Sequence, residues 1–131
     1  DLLILLTDID GLYTSNPRTH EDAKFVPLVE NIDDVIDMGS SSVGSSVGTG
    51  GMHTKLIAGK IATLSGADMV IANGKHVTVI NSVLDGRNVG TLFMKHEDKE
   101  FDLLEYIDSI ISEVQEEVIH FSPKYSLCTV G

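Results

Sequence analysis

The sequence predicts an α/β protein with a largely parallel sheet, and three observations carry that expectation. Two short, almost uninterrupted apolar runs, LLILL (2–6) and ADMVIANG (67–74), suit parallel strands buried on both faces. Between them, MHTKLIAGKIATLS (52–65) has Ile57, Ile61 and Leu64 at helical spacing and Gly66 as a stop. Further on, residues 100–121 carry Leu103, Leu104, Ile107, Ile110, Ile111, Val114 and Val118 on one broad apolar stripe, with acids opposite. That is an amphipathic helix.

LLILL is followed by TDIDG, which ends the strand as a turn would. A strand of this kind needs a neighbour on each side, and only one residue precedes it, so the chain reads as part of something larger. GLYTSNPR (11–18) predicts a hairpin or loop, with Pro17 fixing its own backbone and biasing Asn16 toward an extended form. AKFVPLVE (23–30) reads as extended, and Pro27 keeps it off a central sheet position. IDDVIDMG (32–39) predicts a short helix ended by Gly39. Residues 40–51 are rich in Ser and Gly, as a mobile linker is. HVTVINSVLDG (76–86) holds β-branched residues, yet a crossover helix is the more economical placement. NVGTLFMK (88–95) predicts a third strand, and Pro123 ends the long helix before a short tail. The domain division expected is 1–95, a helix over 96–121 and a tail over 122–131.

Composition narrows the function classes. The 131 residues suffice for one ordinary domain, and 42% hydrophobic content argues against disorder. A net charge of -11 and no basic stripe exclude nonspecific nucleic-acid binding. The first apolar run is too short to span a membrane and lacks the basic start and cleavage pattern of a signal peptide. Cys128 is the single cysteine, which excludes an intramolecular disulfide and fits a cytoplasmic chain. The five histidines show no metal-ligand spacing, so no metal site is expected. His120 suits a helix C-terminus, and the acids of 97–117 read as a solvated helix face.

Two stretches bear chemistry. In SVGTGGMHTK (46–55), Gly48, Gly50 and Gly51 precede a helix with Lys55 one turn in. A helix N-terminus offers unpaired N–H groups and partial positive charge, and glycines let a phosphate approach closely. The loop is neither a Walker A sequence nor GxGxxG. The residues leave a flexible loop open as the other reading. In LLTDIDGLY, Thr7 and Asp8 lie just past a strand end, where ligands bind in open α/β sheets. Thr7 can bond a phosphate or a base, and Asp8 a ribose hydroxyl or a metal-bound water. A turn in which Asp8 and Asp10 cap backbone N–H groups is the alternative.

Taken together, LLILLTDIDGLYTSNPR, GTGGMHTK, ADMVIANG and VGTLF resemble the C-terminal, nucleotide-binding half of the glutamate 5-kinase family, within the amino acid kinase superfamily. The resemblance covers roughly residues 1–95. It implies a partial three-layer α/β/α fold and ATP-dependent phosphorylation of the glutamate γ-carboxylate, the first step of proline biosynthesis. It implies that Thr7, Asp8, Thr49, Gly50, Gly51, Met52, His53, Thr54 and Lys55 bind ATP. Lys55 would then be the catalytic residue, offsetting charge on the moving phosphates, and Mg2+ would arrive with the nucleotide. L-glutamate is the implied acceptor. The family's acceptor-binding half, with its lysine-and-glycine and Gly-Asp-Asn-Asp motifs, precedes this strand and is not within the 131 residues. Residues 100–131 have no recognisable family counterpart, and no RNA-modification-type C-terminal domain is visible. The expectations are a chain inactive on glutamate by itself and, from LLILL and the amphipathic stripe, a homo-oligomer. The alternative is a non-catalytic nucleotide-binding or self-assembling fragment.

Overall fold

The computed structural model describes residues 1–39 and 51–121, the side chains of 39 and 113–121 excepted. The chain divides into two compact units, Asp1–Phe101 and Asp102–Gly131.

The first unit is built on strand β1 (Leu2–Thr7), a small hairpin of β2 (Leu12–Tyr13) and β3 (Phe25–Val26), and β4 (Leu28–Val29). Helix α1 (Met52–Leu64), strand β5 (Asp68–Asn73), helix α2 (Val79–Leu84) and strand β6 (Thr91–Phe93) follow. The main sheet has the order β1-β5-β6-β4, and β2 pairs only with β3. β1 runs parallel to β5 over six pairs, from Leu2 opposite Asp68 to Thr7 opposite Asn73. β4 and β6 are also parallel, whereas β5 and β6 are antiparallel. The sheet is therefore mostly parallel, and the α/β class holds. α2 is a helix as expected, but it joins two antiparallel strands and so is not a crossover between parallel ones.

Alternation along the strands points Leu3 and Leu5 of β1, Met69 and Ile71 of β5, and Phe93 of β6 into one core with Leu12, Val29, Ile32 and Leu56. Among the described residues β1 pairs with β5 alone and lies at the margin of the sheet, with Leu2 43% exposed and Leu6 40%. Pro27 sits between β3 and β4, at the other edge of the sheet, in keeping with its missing N–H. Its carbonyl accepts from Leu92 N at 3.0 Å. Residues 32–39 form two 3-10 turns rather than one helix, the first capped by Asn31, whose side chain accepts from Asp33 N.

α1 buries Leu56, Gly59, Thr63 and Leu64. Ile57 and Ile61, the stripe expected from hydrophobicity, are only half-buried. The helix turns its smallest residue inward, where Gly59 lies directly under the end of the Met69 side chain and close to Ile32. Gly66 closes α1 as expected: its N–H bonds Thr63 O at 3.2 Å, and Ala67 N bonds Ala62 O at 2.9 Å. This is the Schellman pattern.

The second unit is described through helix α3 (Leu103–Phe121). Asp102 caps it, accepting from Glu105 N at 3.0 Å. Leu104, 74% exposed, and Ile111, 47% exposed, lie on its apolar stripe. Val114, Val118 and the tail lie outside the described side chains.

Candidate functional site

Parallel pairing of β1 with β5 brings two strand C-termini to one edge of the sheet, with Thr7 directly opposite Asn73. The chain leaves both there, and Gly74 N bonds back to Thr7 O at 2.8 Å. Thr7 Oγ1 donates to Asp8 Oδ1 at 3.3 Å. Arg18, from the hairpin loop, holds the other oxygen of Asp8 at 3.5 Å. Asn73 Nδ2 donates to Asp10 Oδ1 at 3.1 Å, while Asn73 Oδ1 accepts from Lys75 N at 2.9 Å. An open depression of about 370 Å3 adjoins these residues, lined by Asp10, Asn73, Lys75, His76, Thr78 and Ser82 among others.

α1 reaches the same edge by topology. Three residues join its last turn to the start of β5. Its C-terminus thus lies at the β5 N-terminus, and it packs back along β5. A helix of 13 residues is about 20 Å long, close to the length of a six-residue strand. Its first turn therefore falls near the strand C-termini, where Thr7 and Asn73 are.

That first turn suits an anion. Gly51 is the N-cap and, having no side chain, makes no side-chain cap hydrogen bond to the first amides. No acidic residue lies in the turn, and Lys55 adds a positive charge. His53 and Thr54 are exposed, whereas Met52 turns inward against the core and acts as the anchor of the turn. Thr49 and Gly50, with Gly48 and most of the Ser/Gly stretch, lie outside the described residues. The structure thus brings Thr7 and Asp8 to one sheet edge together with Asn73 and Arg18, which sequence reasoning did not single out. Asn73 was detectable only once ADMVIAN was paired with LLILLT in parallel; then the two strand ends coincide.

Comparison with known proteins settles the family. The amino acid kinase family model matches residues 1–73. The chain belongs to the amino acid kinase family. Over 94 residues it is 47% identical to the glutamate 5-kinase of Clostridium perfringens, covering 72% of this chain and 35% of that protein. Over 96 residues it is 48% identical to the glutamate 5-kinase of Deinococcus radiodurans, covering 73% of this chain and 26% of that protein. The chain thus spans about a quarter to a third of the length of the curated relatives it matches. Among solved structures, the UMP kinase of Bacillus anthracis superposes with a TM-score of 0.52 at 19% identity, over 72% of this chain and 34% of that one. That likeness supports the fold. No helix among the described residues is long and apolar enough to cross a membrane.

Proposed function

We propose that this chain is the ATP-binding part of a glutamate 5-kinase, an enzyme that transfers the ATP γ-phosphate to the γ-carboxylate of glutamate in proline biosynthesis. The identity to glutamate 5-kinases over nearly three quarters of the chain carries the reading. The chemistry of the β1/β5 edge agrees with it. Thr7 and Asp8 offer a hydroxyl and a carboxylate to the nucleotide. The first turn of α1, which has a glycine as its N-cap, and Lys55 are suited to phosphate oxygens. Lys55 is the residue assigned to charge developing on the transferred group, a reaction that asks mainly for positioning and neutralisation. Mg2+ supplies further neutralisation and travels on the phosphates. Because the chain spans a minor part of its relatives, it binds nucleotide without phosphorylating glutamate by itself.

Calorimetric titration of the chain with Mg-ATP, beside Lys55→Ala, tests this. Binding is expected, and it weakens about tenfold or more in the variant, as loss of a charge-assisted contact requires. Absence of binding in a folded sample overturns the nucleotide assignment. Glutamate-dependent ADP formation by the pure chain overturns the assignment of an incomplete enzyme.

A further inference from the structure

Thr91 stands apart from the residues discussed so far. It is a fully buried polar residue on β6, and none of its surface meets solvent. Its hydroxyl accepts from Leu12 N at 2.9 Å and donates to Val26 O at 2.6 Å. Leu12 and Val26 face one another in the β2–β3 hairpin. Two residues further along the same ladder, Thr14 N bonds Lys24 O directly at 2.9 Å. Antiparallel pairing alternates with a period of two, so a direct bond from Leu12 N to Val26 O is due at the next step. The Thr91 hydroxyl meets both atoms of that rung from the side. It bridges the hairpin's last rung and ties the hairpin to β6 of the main sheet.

The tie sits at a sensitive point. Asp8–Gly11 is the short turn between β1 and the hairpin. Its entrance is fixed by Gly74 N on Thr7 O, and its middle by Asn73 on Asp10. Its exit, at Leu12 N, is fixed by Thr91. Gly11 is packed so tightly here that an added Cβ would stand 2.5 Å from Thr91 Oγ1.

We propose that Thr91 is a positioning residue for nucleotide binding, its hydroxyl setting the exit of the Asp8–Gly11 turn and hence where Thr7 and Asp8 meet the ligand. This rests on the nucleotide assignment made above. Valine has the shape of threonine but can neither accept from Leu12 nor donate to Val26. Serine keeps both bonds.

Mg-ATP is titrated into the unsubstituted chain, Thr91→Val and Thr91→Ser, with the Leu12 amide followed by NMR. In Thr91→Val the affinity falls about tenfold, as loss of a buried bridging hydroxyl implies, and the Leu12 amide shift and exchange protection change. Thr91→Ser restores both toward the unsubstituted values. Gly11→Ala, which pushes on the same hydroxyl from the hairpin side, gives a similar loss and carries the test if Thr91→Val does not fold. A folded Thr91→Val that binds Mg-ATP as well as the unsubstituted chain overturns the proposal. So does an affinity loss that serine does not relieve. If the unsubstituted chain itself binds no Mg-ATP, the nucleotide assignment has failed, and the proposal with it.

Discussion

Gly86 and Gly90 make a matched pair of probes. Both adopt left-handed backbone, with φ of +76° and +72°. An alanine in that conformation costs roughly 1–2 kcal/mol at either position. Their surroundings differ. Around Gly86 an added Cβ meets nothing within 4 Å. At Gly90 it would overlap the carbonyl oxygen of Ile71 and stand 3.0 Å from the Cβ of Ala72. Those atoms belong to β5, which is bonded to β1 on one side and β6 on the other. The backbone cannot move aside without loosening a ladder. Overpacking of this kind adds about 1–3 kcal/mol. Gly86→Ala is therefore expected to destabilise by about 1 kcal/mol, and Gly90→Ala by about 3 kcal/mol. In melting temperature these correspond to losses of roughly 5 °C and 15 °C for a unit of this size. Urea unfolding of both variants measures the difference, read from midpoints at unchanged slope. Equal losses at the two positions would refute the packing argument.

The other expectations concern the core, the long helix and the site. Phe93→Ala removes a fully buried ring from the core centre and is expected to cost about 3–5 kcal/mol, a large part of the stability of an ordinary domain; circular dichroism during urea titration checks it. Asp102→Ala removes the cap of α3 and weakens that helix by about 1 kcal/mol, while Asp102→Asn retains it. Because α3 holds half of the α-helical residues among those described, ellipticity at 222 nm reports the loss. Arg18→Ala breaks an ion pair whose side chains are 74% and 83% exposed, so stability should change by less than about 0.5 kcal/mol. Mg-ATP affinity is expected to fall at low salt, with the difference fading as salt screens Asp8.

Much of the fold was legible because it is written in hydrophobic periodicity. LLILLT and DMVIAN are strands, the residues from Met52 form a helix, and Gly66 closes it. The inward face of α1 was not legible. Hydrophobicity selects Ile57 and Ile61, but close approach to Met69 selects Gly59, and Thr63 satisfies its own hydroxyl on Gly59 O at 2.8 Å. Strand direction is likewise not encoded in composition, so VGTLF read as a strand without revealing that it runs against β5. At the site, Thr7 and Asp8 were legible from their place after an apolar run. Asn73 and Arg18 were not, because the partners of each side chain are set by the pairing of strands and the path of the hairpin. Thr91 is the sharpest case. A threonine in a strand is ordinary, and only the three-dimensional meeting of β2, β3 and β6 gives its hydroxyl two backbone partners.

The exposed margin of β1 bears on how the protein behaves at the bench. Among the described residues, β1 bonds β5 alone within the main sheet, and on its other side no strand pairs with its amides and carbonyls. LLILLT is uncharged and rich in strand-forming residues, and it contains no proline or glycine. Natural sheets blunt such margins with lysine, proline or a bulge, and β1 has none of these. It is a template on which another extended segment can add, including the same segment from a neighbouring molecule. Turbidity and thioflavin fluorescence should therefore rise with protein concentration before cooperative unfolding begins. A lysine at Leu2 or Leu6, on the side away from Leu3 and Leu5, should suppress that rise while the core stays intact.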